Sequence, residues 1–166
     1  MSAIKLDGYS NFGFFQTLRP QLTAAASIEG DAVDVRDFQT ATLVVNVGGC
    51  ASGGAMGATQ RGQLMLEHGN SNATTGAVTW SEVYASQMIH SVTGANGVYS
   101  TLNSGIFQSL ASYTDASAMY YVGYRGPKRW LRARFSQVAA ASAFSISAMI
   151  VCGLPNNWPV NDPANS

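Results

Sequence analysis

The last third of the chain fixes the kind of fold it can adopt. From Arg129 to Val138, Leu131, Ala133 and Phe135 alternate with Trp130, Arg132 and Arg134. From Phe144 onward, Phe144, Ile146, Ala148 and Ile150 alternate with Ser145 and Ser147. A period of two places successive side chains on opposite faces of an extended strand, so both runs predict β-strands with one face buried. Met119 to Tyr124 reads as a third strand, joined to the first run through Arg125-Gly126-Pro127-Lys128. Gly-Pro is a turn signal, and the expectation is an aromatic, basic β-hairpin.

Upstream, Thr42-Leu43-Val44-Val45-Asn46-Val47 is β-branched and strand-sized, ending at Gly48-Gly49. Residues 48–59 read as a small-residue loop. Gln63 to His68 and Val78 to Val83 are strand-like, with a Gly-Asn-Ser-Asn turn cluster after the first. Ala85 to Val92 fits either a helical turn or a strand, and Ile106 to Leu110 fits a short strand. Short strands at near-regular spacing, with no long helix pattern and no internal repeat, predict an all-β sandwich, of jelly-roll type.

With 166 residues the chain fits one domain. Residues 29–155 are assigned to the sandwich and 156–166 to a C-terminal tail rich in Pro and Asn. Residues 1–28 are aromatic without clear periodicity. They read as an extended arm carrying Phe12, Phe14 and Phe15, or as an ordinary first strand from Gly13 to Thr17.

Charged residues make up 11% of the chain, against about 25% in an average domain. Low charge suits a subunit whose surface is covered by neighbours, where charges would be costly to desolvate. It also occurs in Ser/Thr/Gly-rich β-proteins. The net charge is +0, which argues against nucleic-acid binding, because that needs many cations against phosphate. No run approaches the ~20 apolar residues of a membrane span, and the first residues lack the pattern of a secretory signal, so a soluble intracellular protein is expected.

The few charges are segregated. Five of the 9 Lys and Arg residues lie between 125 and 134, while Glu29, Asp31, Asp34 and Asp37 crowd one earlier segment. These patches could meet within a subunit, meet between subunits, or remain separate solvated surfaces. The acidic run lacks the ligand spacing of an EF-hand loop, so a solvated loop is the simpler reading. Cys50 and Cys152 have no metal-ligand spacing, and a disulfide between them is disfavoured in a reducing compartment.

Catalytic signals are thin. His68 and His90 are the only histidines, no nucleophile elbow is present, and Gly48 to Gly54 is not a phosphate loop because no Gly-Lys-Ser/Thr follows. No enzyme activity, cofactor or metal is expected. The basic stretch carries Arg, Trp and Tyr, the residue types enriched at protein hot spots. Arg125, Lys128, Arg129, Trp130, Arg132 and Arg134 are therefore the expected protein contacts, together with Phe12, Phe14 and Phe15.

Tyr121-Val122-Gly123-Tyr124-Arg125-Gly126-Pro127-Lys128-Arg129-Trp130-Leu131-Arg132 resembles a Y-V-G-x-x-G-x-K-R-Y-x-R-V stretch in small structural proteins of tailed bacteriophages. Phe38 to Gly48 is similar to their F-x-x-x-T-hydrophobic-V-V-x-x-G strand, and Ala148 to Pro155 to their last strand and following proline. The blocks occur in the same order, and the resemblance spans roughly 33 to 155. It implies a capsid decoration or cement protein on the virion surface, assembled in the host cytoplasm. Its implied partners are the major capsid protein and further copies of itself, as a dimer or trimer. The other reading the residues leave open is a tail-associated or carbohydrate-binding adhesin using Trp80, Trp130 or Trp158. A hydrolase using His68 or His90 is the third.

Overall fold

A computed structural model describes residues 12–23, 27–50, 56–57, 59–89, 105–139 and 143–155. The strands are β1 (Phe12–Leu22), β2 (Ser27–Glu29), β3 (Val33–Asp34), β4 (Phe38–Cys50), β5 (Arg61–Ser71), β6 (Val78–Glu82), β7 (Met88–Ile89), β8 (Ile106–Leu110), β9 (Ala118–Tyr124), β10 (Trp130–Val138) and β11 (Phe144–Pro155). Among the described residues the only helical pieces are short 3₁₀ turns at Ala85–Gln87 and Tyr113–Asp115. No helix among them is long and apolar enough to cross a membrane.

The strands form two antiparallel sheets. Sheet A has the order β1-β11-β4-β9-β7, and sheet B the order β2-β10-β5-β6. In sheet B, β3 extends the β2 edge of β10, and β8 extends the β6 edge of β5. Treating each such pair as one position, the chain switches sheets at nearly every connection, which is jelly-roll connectivity. The all-β sandwich expected from the alternating runs is what forms.

The inward faces follow the period-two pattern. Leu43, Val45, Val47, Val122, Ile146 and Ile150 from sheet A meet Leu64, Leu66, Leu131, Phe135 and Phe107 from sheet B, all essentially buried. Each such side chain contributes roughly 1.5–3 kcal/mol on burial. Gly62 is needed where the sheets close on Phe135: a Cβ there would come within 2.7 Å of the ring.

Three expectations are corrected. First, β9 and β10 do not form a hairpin. β9 pairs with β4 and β7, whereas β10 pairs with β5, β2 and β3. Residues 125–129 carry the chain across the end of the sandwich, from one sheet to the other. Alternation in both strands is satisfied because Val122 and Leu131 are buried in the same core from opposite sheets. Second, of the two readings of the N-terminal residues, the first strand rather than the arm holds for Phe12–Leu22, which runs along β11 with register shifts after Gln16 and Leu18. Residues 1–11 and 156–166 lie outside the described residues. Third, β4 continues through Gly48 and Gly49 to Cys50, paired with β11. Residues 48–50 therefore belong to the strand rather than to the expected loop, and residues 51–55 and 58 lie outside the described residues.

Cys50 and Cys152 are both free thiols. Cys50 pairs with Phe144 and Cys152 with Ala41, at opposite ends of the β4–β11 ladder. At about 3.4 Å per residue they stand on the order of 30 Å apart, which no disulfide spans.

Candidate functional site

The cations that mark the sequence are mostly committed inside the molecule. On the outer face of sheet B, Glu67 of β5 lies beneath β10 with only 5% of its side chain exposed. Arg132 Nε donates to Glu67 Oε2 at 2.6 Å, and Arg134 Nη1 donates to Oε1 at 2.9 Å. Arg132 Nη1 also donates to Glu29 at 2.8 Å, and its guanidinium lies over Trp80, 4.4 Å from the ring centroid. Arg134 Nε donates to Ser27 at 3.1 Å. Arg129 holds Asp34 through two bonds, of 2.9 and 2.6 Å, and stands 4.8 Å from the Trp130 ring.

The acidic segment and the basic stretch therefore meet within one subunit. The reason is the topology: β2 and β3, which carry Glu29 and Asp34, add to the free edge of β10. Burial raises the pKa of Asp34. The hydrogen bonds from Arg129 and from the Arg36 N–H, with the charges of both arginines, outweigh it and hold the carboxyl below its ordinary range. Arg129, Arg132 and Arg134 were expected as contacts for a partner, but they are engaged as structural ion pairs. Among the described residues no group of three metal-ligating side chains occurs. Glu29 and Asp34 face arginines instead.

Arg125 and Lys128 differ. Neither side chain has an ion-pair partner among the described residues. Both line an open trough of about 820 Å³ at the end of the sandwich, floored by Val35, Phe38, Ile89, Tyr121 and Tyr124. Tyr124 builds this end. Its ring turns inward, and its hydroxyl accepts a hydrogen bond from the Lys128 N–H at 2.9 Å. The same hydroxyl lies 2.9 Å from His68 Nδ1, which accepts its proton when the neutral imidazole carries its hydrogen on Nε2. Desolvation by burial, then the charge of Lys128, lowers the His68 pKa and favours that neutral form. Gly126 passes so close that a Cβ would lie 2.5 Å from the Tyr124 hydroxyl, so the connection requires glycine there. His68 thus anchors a connection, with Glu67 on the opposite face as the alternation requires. His90 lies outside the described residues.

The outer face of sheet A is a second surface. Cross-strand register aligns Phe14, Val151, Thr42, Gly123 and Ile89 in one row, and Gln16, Met149, Val44 and Tyr121 in the next. Phe12, Phe14, Met119, Tyr121, Ile89 and Met149 are all substantially exposed. Arg19 is the only charged residue in any strand of this sheet. Of the three expected aromatic contacts, Phe12 and Phe14 lie on this face. Phe15 turns inward and packs edge-on against Phe38 at 5.8 Å. Sequence reasoning missed Met119, Tyr121 and Met149 as surface residues. Their signal was present: they occupy the positions opposite Val122 and Ile150 in the alternation.

The fold and these surfaces define a jelly-roll β-sandwich with one charged face and one nearly charge-free face rich in exposed apolar side chains. No family model, curated protein or solved structure matches the chain.

Proposed function

We propose that this protein is a non-enzymatic structural subunit of a bacteriophage virion, a cement protein that binds and stabilises the shell of the major capsid protein. The observation that carries the reading is the outer face of sheet A, almost free of charge, on which Phe12, Phe14, Met119, Tyr121, Ile89 and Met149 are exposed among the polar, uncharged Gln16, Thr42, Asn46 and Ser147. Monomeric soluble proteins rarely leave a contiguous apolar patch of this kind uncovered, and such patches mark interaction surfaces. A face without charges can be covered without the cost of desolvating ions. The internal ion pairs of sheet B support the same reading, because they tie β2, β3, β5 and β10 into a rigid body. The resemblance of the 38–48, 121–132 and 148–155 blocks to phage decoration proteins supplies the capsid as the partner. Weak contacts repeated over a lattice then add through avidity.

The adhesin reading draws less support. Trp80 is covered by Arg132 and Trp130 flanked by Arg129, so neither offers a bare stacking platform for a sugar.

The test is co-sedimentation of the purified protein with expanded shells of the capsid protein encoded beside it. Stoichiometric, saturable binding is expected. Replacing Phe14 and Met149 together by Glu should leave the fold intact, since both are exposed, and remove binding. Undiminished decoration by that double variant excludes the sheet A face, and failure of the wild-type protein to bind shells rejects the cement role.

A further inference from the structure

We propose that the trough at the end of the sandwich binds an extended acidic segment of a partner protein, one that alternates carboxylates with apolar side chains. This goes beyond the cement reading and does not depend on it. Four observations lead to it.

First, the charge at this site is of one sign. Arg36, Arg125, Lys128 and Arg129 line the trough, and no carboxylate does. Arg129 is neutralised by Asp34 and Arg36 lies 3.5 Å from both Asp34 and Asp37. Arg125 and Lys128 have no such partner among the described residues. Three arginines of the 125–134 stretch are used to hold the sandwich together, and the two remaining cationic residues both line this place.

Second, the floor is apolar. Phe38, Ile89 and Tyr121 line it, with Ile89 58% and Tyr121 58% exposed. Gly123 pairs with Ile89 across the β7–β9 ladder, and its missing side chain keeps the floor low between them. Isolated cations over water would need no such floor. Cations beside exposed apolar side chains match a ligand that carries both characters.

Third, three of the four backbone donors of the connection are already used. Arg125 N–H donates to Gln87 O at 2.9 Å, Lys128 N–H to the Tyr124 hydroxyl at 2.9 Å, and Arg129 N–H to Asn70 Oδ1 at 3.2 Å. Pro127 has no N–H. A compact oxyanion such as phosphate is normally cradled by several converging backbone N–H groups, and here only that of Gly126 is left without a bond among the described residues. What remains are two long, adaptable side chains, suited to carboxylates spaced along a chain.

Fourth, the surroundings disfavour nucleic acid. The chain carries 9 basic and 9 acidic residues, and two uncommitted cations neutralise too few phosphates for tight binding. An extended peptide suits the shape, because the trough is lined by residues from the ends of β4, β9 and the two-residue edge strand β7.

The experiment uses the full chain and a fluorescein-labelled heptapeptide alternating glutamate with valine. Its controls are the same peptide with lysine for glutamate, one with serine for valine, inorganic phosphate and a short oligothymidine. Fluorescence anisotropy should show saturable binding of the acidic peptide, weakened several-fold by raising salt from 0.05 to 0.5 M. The lysine and serine peptides should bind at least tenfold more weakly. The Arg125→Glu/Lys128→Glu double variant should lose tenfold or more. Its backbone bonds to Gln87 and Tyr124 do not depend on those side chains, so it should fold. Ile89→Asp, at an exposed position, should weaken binding comparably by placing a carboxylate in the floor. Equal binding of acidic and basic peptides, unchanged affinity in both variants, or no binding at all overturns the proposal. So does displacement of the bound acidic peptide by oligothymidine or phosphate at concentrations below the acidic peptide's own Kd. The measurement involves no capsid shells, so its outcome is separable from that of the cement reading.

Discussion

Replacing Glu67 by Ala removes the carboxylate on which the outer face of sheet B converges. Glu67 is 5% exposed and receives Arg132 Nε at 2.6 Å and Arg134 Nη1 at 2.9 Å. Removing one partner of a buried ion pair costs about 3–5 kcal/mol, because the remaining charge stays desolvated. Two features reduce that figure here. Arg134 is 30% exposed and can turn to water, so its bond counts as a surface pair of about 0.2–1 kcal/mol. Arg132, at 12% exposure, keeps Glu29 as an alternative partner. A net loss of about 3 kcal/mol follows for Glu67→Ala. Urea unfolding measures it: with a slope of about 2 kcal/mol per molar, the midpoint falls by roughly 1.5 M. Tryptophan emission reports the same event, since Arg132 is freed from its place over Trp80. A triple variant with Met at 67, 132 and 134 should return to within about 1 kcal/mol of wild type, as apolar replacement of a whole buried network often does. A midpoint shift below about 0.3 M for Glu67→Ala, at unchanged slope, would falsify the view that this network is buried and structural.

Four further outcomes are expected. Asp34 has a folded pKa below its unfolded value, so its contribution is present above about pH 3.9 and is lost as pH falls through the folded pKa. Acid unfolding of Asp34→Asn should lack that component, and an identical acid limb in both proteins would refute it. His68 is also held below its ordinary pKa. The unfolded state therefore takes up a proton first, and stability should decline as pH drops below about 6.5 towards the folded pKa. The imidazole resonances of His68, followed by NMR across that range, should titrate at lower pH than a free histidine. Tyr124→Phe deletes the hydroxyl shared by His68 and the Lys128 N–H, leaving buried groups unsatisfied at about 1–3 kcal/mol. Thermal denaturation should show a lower midpoint, and an unchanged one would mean that water replaces the hydroxyl. Cys152, fully buried with its thiol pushed up to about 12, should resist alkylation in the native protein while half-buried Cys50 reacts more readily; equal rates would contradict this burial.

What the sequence determined alone follows from the period of two. A strand with one buried face must alternate, so Leu131, Ala133 and Phe135, or Phe144, Ile146, Ala148 and Ile150, declare both their conformation and their inward side without reference to anything distant. Low overall charge and its concentration in two segments were equally legible. Alternation, however, says which side of a strand is buried and nothing about which strand lies beside it. A Gly-Pro connection between two alternating strands fits a hairpin and fits a crossing between sheets, because both arrangements bury Val122 and Leu131. Only the assembled sandwich selects the crossing. With it come the consequences that local pattern cannot carry: Glu29 and Asp34 reach arginines about a hundred residues away, Glu67 is buried beneath two of them, and Phe15 turns from an expected contact into core. Pairing energy depends on which edges are free once the sheets have formed, a property of long-range topology. That is why the charged stretch, conspicuous in the sequence, divides into a structural network and the two cations left at the trough.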